Sequence, residues 1–227
     1  MEQTVSKPKI IVSFLGLPAS GKGTQAKLLS SRIDTDKVVG IGVLMREIIE
    51  MEDSKDPFVL EIKKRYFEGI PQPDLVAIDL VKKYLDQDHD RHIILDNFPF
   101  SIQQMNFLKE YIASSSNEWR GPIIIHLKSD PETIVRRAIF RKVCPSCETI
   151  YGDTDEVICE KCGSSLIIRP DDNEETLRKR ISYYIPRIRE IVEEAQRQNL
   201  SVVEIDGMQT INNVAKELWQ NVDKYFK

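Results

Sequence analysis

Short apolar runs alternate with longer amphipathic stretches along the chain. Residues 9–15 are apolar and rich in β-branched side chains, and the run stops at Gly16. Further runs of this kind lie at 38–41, 92–95, 123–127 and 201–205. A short apolar run bounded by turn residues is typical of a strand that is buried on both faces. The pattern therefore predicts five strands, of which those at 9–15 and 92–95 are buried.

The stretches between these runs have the spacing of amphipathic helices, with apolar residues three and four positions apart. They cover 24–32, 131–140, 174–198 and the region from 212 to about 225. The segment 44–85 has the same spacing but breaks at Pro57 and again at 69–73, where Gly and Pro cluster. Strands that alternate with helices imply a parallel sheet covered on both faces. We therefore predict an α/β fold with a parallel five-stranded sheet, onto which residues 40–73 and 142–168 are inserted.

A glycine-rich loop joins the first predicted strand to the first predicted helix. It reads Gly-Leu-Pro-Ala-Ser-Gly-Lys and matches the pattern G-x-x-x-x-G-K. In this context the backbone N–H groups and the helix N-terminus favour a phosphate, and Lys22 adds a full positive charge. A glycine-rich turn without a ligand is the alternative. The loop predicts ATP binding by Gly16, Pro18, Ala19, Ser20, Gly21, Lys22, Gly23 and Thr24.

The composition argues against nucleic-acid-binding and membrane proteins. The 227 residues include 32 basic and 36 acidic side chains, for a net charge of −4. Such a chain lacks the basic field on which nucleic-acid binding depends. No apolar run approaches the roughly 20 residues that span a bilayer, and the first nine residues lack the apolar core of a signal peptide. We expect a cytoplasmic monomer that binds neither nucleic acid nor membrane.

Four cysteines form two close pairs, Cys144-Pro-Ser-Cys147 and Cys159-Glu-Lys-Cys162. Four thiolates at such spacing can surround Zn²⁺ tetrahedrally, and four protein ligands leave no open position for catalysis. A redox role of either pair is the alternative, which two pairs in one short segment disfavour. The pairs therefore predict a structural zinc site.

Arginines flank the cysteine segment on both sides. Arg137 and Arg141 lie one helical turn apart before it, and the run from Arg169 to Arg180 follows it. Phosphoryl transfer depends on alignment, charge neutralisation and exclusion of water, and guanidinium groups match phosphate oxygens. For any one of these arginines taken singly, a solvated helix face is the alternative. Their spacing favours a site in which several of them meet one phosphate.

These motifs together resemble the adenylate kinase family over nearly the whole chain. Its loop usually reads G-x-P-G-x-G-K-G-T-Q, and here Lys22 is likewise followed by Gly-Thr-Gln, with Ala19 in place of a glycine. Residues 169–180 match its R-x-D-D-x-E-E-T-x-x-x-R. Members with a zinc-binding lid have cysteines at these four positions. The resemblance implies a P-loop kinase domain with core 1–39, 74–141 and 169–227, acceptor arm 40–73 and zinc lid 142–168.

The resemblance also implies the reaction, which is reversible, Mg²⁺-dependent transfer of the γ-phosphate of ATP to AMP. Arg137 would stack on the donor adenine, and Lys22 would act on the transferring phosphate together with Arg141, Arg169 and Arg180. Asp171 and Asp172 would orient those arginines. Asp96 would orient the water shell of Mg²⁺. Without the resemblance, a role as a helix cap or turn residue would be equally well supported.

The acceptor side departs from the family pattern. The family's D-G-F-P-R is Asp96-Asn-Phe-Pro-Phe100 here, so the arginine that grips the acceptor's phosphate is absent. Ile41 and Val43 replace a Thr and an Asp. The remaining similarity implies acceptor binding by Ile41, Arg46, Gln72, Gln104, Arg169 and Arg180. A kinase for another nucleoside monophosphate, or a nucleotide-binding protein with weak or no catalysis, therefore stays open as an alternative.

Overall fold

The computed structural model describes residues 9–35, 37–50, 55–87, 92–115 and 119–227. These residues form seven strands and eight α-helices, followed by a 3₁₀ turn at Asp223–Tyr225. In chain order they are β1 (Lys9–Gly16), α1 (Lys22–Arg32), β2 (Val38–Gly40), α2 (Ile41–Ile49), α3 (Pro57–Phe67), α4 (Asp74–Leu85), β3 (Ile93–Asp96), α5 (Ile102–Ser114), β4 (Trp119–Lys128), α6 (Pro131–Ile139), β5 (Arg141–Val143), β6 (Ile150–Asp153), α7 (Glu174–Arg197), β7 (Ser201–Asp206) and α8 (Ile211–Val222).

Five strands form a parallel sheet, as the sequence predicts, and their order is β2-β3-β1-β4-β7. Phe14 of β1 and Gly40 of β2 are both level with Asp96 of β3, and Gly16 is level with Leu127 of β4. The carboxyl ends of these four strands therefore lie at one edge. β1 pairs with β3 on one side and β4 on the other, so the strand order reverses there. Open α/β sheets bind ligands at such a switch point.

Side chains of β1 alternate between two apolar clusters, one on each face of the sheet. Ile10, Val12 and Phe14 pack with residues of α1 and α8, whereas Ile11 packs with residues of α4 and α5. Because successive strand side chains point to opposite faces, a strand covered on both sides requires an unbroken apolar run. Burying each such side chain contributes roughly 1.5–3 kcal/mol. The prediction of a sheet with helices on both faces is confirmed.

The interrupted helical segment forms three helices. Pro57 is the first residue of α3, and the Asp56 side chain caps that helix by accepting from the Phe58 N–H at 2.9 Å. Pro73 immediately precedes α4. Proline lies at a helix start because an N–H there has no partner within the helix in any case. The second predicted strand ends one residue early, because Ile41 already begins α2.

The cysteine segment forms a small antiparallel unit outside the main sheet. β5 pairs with β6, Val143 of β5 also bridges to Ile167, and Ile158 bridges to Ser165. The long helix α7 follows it and contains Pro186. Across the described ranges, no helix combines the length and apolarity that crossing a bilayer requires.

Candidate active site

The phosphate loop lies between β1 and α1 at the switch point. Gly16 ends β1, and a Cβ there would lie 2.8 Å from both the Leu127 carbonyl oxygen and the Ser20 Oγ, so that only glycine fits. Gly21 precedes α1 with φ 94°, and no side chain caps that helix. The first N–H groups of α1 therefore stay available to a ligand, as they do in anion sites at helix N-termini.

Lys22 is buried at the start of α1. Its Nζ donates to the carbonyl oxygens of Gly16 (2.9 Å) and Leu17 (2.8 Å). Burial lowers the pKa of Lys22 to about 8; Asp96 opposes this shift, and the charges of Arg180 and Arg141 add to it. The loop lysine thus lies within the electrostatic reach of two arginines that are more than 100 positions away in the chain.

The remaining arginines share the same surroundings. The pKa of Arg169 falls to about 10, first through burial and then through the charges of Arg46 and Arg141. Together these contacts define a group of positive side chains that we call the cationic cluster: Lys22, Arg46, Arg141, Arg169 and Arg180. Like charges repel, so a buried set of this kind requires anions between its members. Protein carboxylates supply some of that negative charge, and a phosphate chain is suited to supply the rest.

Two buried carboxylates hold arginines of the cationic cluster in place. Arg141 donates from Nε and Nη2 to the two oxygens of Asp172, at 2.6 and 2.7 Å, and the Asp172 side chain is 0% exposed. Arg180 donates to Asp171 Oδ2 at 2.5 Å, and the Tyr66 hydroxyl donates to Asp171 Oδ1 at 3.0 Å. Paired bonds of this kind fix the orientation of the guanidinium plane.

Asp96 lies at the end of β3 beside the phosphate loop. A Cβ on Gly23 would lie 3.4 Å from Asp96 Oδ2. Burial raises the pKa of Asp96, and the charges of Lys22, Arg169 and Arg46 oppose that shift. Its Oδ1 is buried and has no hydrogen-bond partner within the described residues. A buried carboxylate oxygen with spare capacity beside a phosphate site fits a role in orienting the water shell of Mg²⁺.

Arg137, the predicted partner of the donor adenine, lies where the phosphate loop meets the turn after β7. Its Nη1 donates to the Gly207 carbonyl oxygen at 3.1 Å. The Gly207 N–H donates to the Lys128 carbonyl oxygen at 2.8 Å, and a Cβ on Gly207 would lie 3.3 Å from the Ser20 carbonyl oxygen. Sequence analysis missed Gly207, although the Asp-Gly pair that ends the fifth strand was a usable signal.

The acceptor side contains two glutamines with different surroundings. Gln104 Oε1 accepts from the Phe100 N–H at 2.7 Å, and its Nε2 donates to Asp74 Oδ1 at 2.8 Å. These two bonds fix the amide and use one of its two N–H groups and one of its two oxygen lone pairs. Gln72 Nε2 donates to the Ile62 carbonyl oxygen at 3.1 Å, while its buried Oε1 has no partner in the described part of the chain.

Ile41 and Arg46 both belong to α2, at the carboxyl end of β2. Gly40 ends that strand level with Asp96. Val43 packs closely on this turn, because a Cβ on Gly40 would lie 3.0 Å from its Cγ2. The structure therefore brings Arg46 to the same sheet edge as Asp96, with apolar side chains where the family pattern has Thr and Asp.

Phe100 turns away from this polar region into an apolar cluster. The centroid of its ring lies 4.3 Å from that of the Tyr184 ring, and the Arg187 guanidinium lies over the Phe100 ring, 5.3 Å from its centroid. The same cluster includes Leu17, and Ala19 packs against it. Phe100 therefore joins the phosphate loop to α7 by packing and offers no charge to a phosphate. Sequence analysis missed Arg187, which no motif singles out.

The four cysteine sulfurs converge in the segment that follows α6. All four lie within 4.8 Å of one another, and the Cys144–Cys162 and Cys147–Cys159 sulfurs are 3.3 and 3.5 Å apart. Four sulfurs at about 2.3 Å from one Zn²⁺ would be about 3.8 Å apart. The Tyr151 hydroxyl donates to Cys159 Sγ at 3.3 Å and lowers the pKa of that thiol to about 6. The donor set fits a structural zinc ion.

The similarity to known proteins extends over most of the chain, including the phosphate loop and the cysteine segment. A family model described as adenylate kinase matches residues 14–200, a range that includes the whole cationic cluster. An adenylate kinase of Syntrophotalea carbinolica is 32% identical over 211 residues, covering 90% of this chain and 94% of that protein. One of Clostridium perfringens is 32% identical over 214 residues, covering 91% and 95%. One of Thermotoga maritima is 29% identical, covering 90% and 93%.

Proposed function

The chain belongs to the adenylate kinase family, and from that premise we propose which of its residues carry the reaction. The protein is a phosphotransferase that uses ATP with Mg²⁺ and transfers the γ-phosphate to AMP, giving two ADP. The observation that supports the residue assignment is the convergence of Lys22 and Arg141 with Arg169 and Arg180 at the carboxyl edge of the sheet. Four cations that approach one another there require a highly charged anion between them.

We assign the donor site to the phosphate loop and to Arg137. Backbone N–H groups of residues 16–24 and the uncapped start of α1 bind the phosphates of ATP. Arg137, held at Gly207, lies beside the loop where the adenine is expected. Mg²⁺ bound with ATP neutralises charge on the phosphates and orients them. Asp96 would hold waters of the Mg²⁺ shell through Oδ1, which has no hydrogen-bond partner within the described residues.

The transfer itself is an in-line displacement at the γ-phosphorus. A phosphate oxygen of AMP forms the new P–O bond while the bond to the bridging oxygen of ATP breaks, and that oxygen keeps the electron pair as part of ADP. Lys22, Arg141 and Arg180 stabilise the negative charge on the transferred group and on the leaving oxygen. Asp171 and Asp172 act as positioning residues because they fix the two arginines.

We assign the acceptor site to α2 and the segment before α4. Arg46 and Arg169 bind the phosphate of AMP, and Gln104 and Gln72 offer hydrogen bonds to its base. Ile41 contributes an apolar contact where the family pattern has a hydroxyl. With Phe100 in an apolar cluster, this site has one guanidinium fewer than the pattern. A lost charge-assisted bond of about 1.5–3 kcal/mol predicts weaker AMP binding, by roughly tenfold or more.

The experiment that tests this assignment measures transfer from Mg·ATP to a panel of nucleoside monophosphates. We expect AMP to be the preferred acceptor, with a high KM, and Lys22→Ala to abolish transfer while far-UV circular dichroism stays unchanged. Lys216→Ala, on the exposed face of α8, is the matched control and should retain full activity. Transfer to no monophosphate would favour a nucleotide-binding protein, and full activity of Lys22→Ala would remove the loop lysine from the mechanism.

We further propose that the protein works as a monomer in the cytoplasm, where ATP and AMP are available. Its division into core 1–39, 74–141 and 169–227, acceptor arm 40–73 and zinc lid 142–168 is supported by the separate pairing of β5 with β6. Residues 1–8 of that core lie outside the described residues, as do 51–54 of the arm. The zinc ion stabilises the lid, because so short a segment buries little apolar surface of its own.

A further inference from the structure

Among the residues that the structure describes, an ion pair joins the acceptor arm to the zinc lid. Arg46 of α2 donates from Nη2 to Glu148 Oε1 at 3.0 Å, although the two residues are 102 positions apart in the chain. Their side chains are 24% and 34% exposed. Burial lowers the pKa of Arg46, but hydrogen bonding to Glu148 and the neighbouring Tyr66 outweigh burial and raise it. A lid carboxylate therefore already neutralises an arginine that we assign to the phosphate of AMP.

The backbone of Glu148 is held in an unfavourable conformation to make this contact. It has φ 54°, in the left-handed region that favours glycine, which costs a glutamate roughly 1–2 kcal/mol. The Glu148 N–H donates to the Cys144 carbonyl oxygen at 3.0 Å, and Lys27 Nζ donates to the Glu148 carbonyl oxygen at 3.2 Å. The cysteine turn on one side and α1 on the other thus fix the position from which the carboxylate reaches Arg46.

The charge of Glu148 also reaches the centre of the site. Burial is the main cause that raises the pKa of the Asp96 carboxyl, and the negative charge of Glu148 raises it further. Asp96, Arg46 and Glu148 therefore lie in one electrostatic neighbourhood, at the end of the cleft assigned to the acceptor. A phosphate bound to the Arg46 guanidinium would lie beside the Glu148 carboxylate, and two anions that close repel each other.

We infer that Glu148 is a positioning residue that occupies Arg46 in place of the acceptor's phosphate, so that AMP must displace it. This inference rests on the proposed role of Arg46. When AMP binds, the carboxylate leaves Arg46 and the arm-to-lid contact breaks; when ADP departs, the pair forms again. Glu148 therefore lowers the apparent affinity for the acceptor, because part of the binding free energy is used to break the ion pair.

The test compares Glu148→Gln with Glu156→Gln, both as zinc-loaded full-length protein. Glu156 is an exposed residue of the same lid, so its substitution removes the same charge without touching Arg46. For Glu148→Gln we expect the KM for AMP to fall about two- to fivefold, as a partly exposed pair implies, and the KM for ATP to stay unchanged. Glu156→Gln should change neither constant. Zinc content, measured on both variants, shows that each lid is intact.

A calorimetric measurement of AMP binding separates this inference from the proposed function. In the Arg46→Ala background, Glu148→Gln should no longer tighten AMP binding, because the partner of the carboxylate is gone. An unchanged or raised KM for AMP in Glu148→Gln, with an active parent protein, would overturn the inference alone. Failure of the parent protein to transfer phosphate to AMP would instead overturn the proposed function.

Discussion

Ala19, Asn97 and Glu148 are three non-glycine residues of the site region with left-handed backbone, at φ 57°, 65° and 54°. Ala19 and Asn97 stand where the family pattern has glycine, and asparagine is the side chain that best tolerates this region. The Ala19 methyl packs against the cluster that contains Phe100, which is itself a departure from the pattern. Ala19 and Phe100 therefore belong to one local rearrangement, in which an apolar contact beneath the phosphate loop replaces the charge of an arginine.

Phe100 should behave as a core residue. It is 8% exposed, so Phe100→Ala should lower the free energy of unfolding by about 3–5 kcal/mol, measured in urea, because a cavity opens beneath the phosphate loop. Phe58→Ala, at an exposed position of α3, is the matched control and should cost much less. A small loss of stability together with a changed KM for AMP would place Phe100 at the substrate instead.

Lys22 should give the protein a proton-linked affinity for ATP. Its pKa of about 8, against an ordinary 10.5, means that the free protein loses this proton as the pH rises past 8. Bound phosphate favours the charged form, so ATP binding should weaken above that pH and take up part of a proton. The unfolded chain keeps the proton up to 10.5, so the buried charge costs stability at neutral pH, and that cost disappears as the pH rises from 8 to 10.5.

Calorimetry of ATP binding near pH 8.5, in two buffers with different ionisation enthalpies, measures the proton uptake directly. Lys216→Gln should retain the uptake, because that lysine lies on the exposed face of α8. An ATP affinity that stays constant between pH 7 and 9.5, with no buffer dependence of the binding enthalpy, would contradict the assignment of this pKa to the phosphate site.

Among the elements, the buried strands were the most predictable and the lid the least. The apolar runs located β1 and β3 to within one or two residues, because burial on both faces allows few polar side chains. The run at 201–205 located the edge strand β7 equally well, although that strand is only partly buried. β4 begins four residues earlier than predicted, at Trp119, since Arg-Gly-Pro interrupts the apolar run there. β5 and β6 were not predicted, because their few residues are arranged around the cysteine cluster and carry no period of their own.

The two core segments that flank the lid should be held together by the buried pair of Arg141 and Asp172. Asp172→Asn leaves the guanidinium without its counter-charge, so we expect a loss of about 3 kcal/mol in the free energy of unfolding. Arg141 also loses its orientation, and kcat should fall at least about tenfold. Glu132→Gln is the matched control: Glu132 pairs with Arg178 at 2.8 Å, but both side chains are exposed and little should change. Equal losses in the two variants would contradict a special role for the buried pair.

For the molecule as a whole, sequence motifs predicted which residues belong to the site but not how they contact one another. The resemblance to the family singled out Arg46 and Gln104, and local spacing singled out the arginines that flank the lid. It gave no sign that Glu148 reaches Arg46, or that Gln104 is tied to Asp74. Such contacts join segments that are 30 or more positions apart, so they depend on the arrangement of whole elements. The departures from the family pattern could be read from the sequence, whereas the apolar cluster that contains Phe100 could not.

The cationic cluster also makes a prediction for the whole protein, because by our proposal it spans the donor and the acceptor sites. A ligand in which a long polyphosphate chain joins two adenosines should bind across both sites and neutralise all five cations. At about 100 times its Kd it should stabilise the protein by about 2.7 kcal/mol, which corresponds to a rise in Tm of roughly 5–10 °C. A dinucleotide with only two phosphates is the control: its chain is too short to reach from one site to the other, so it should raise Tm far less at the same concentration. Equal shifts for the two ligands in thermal unfolding would show that the five cations do not share one cleft. Only in a shared cleft can the longer phosphate chain contact more of these cations than the shorter one.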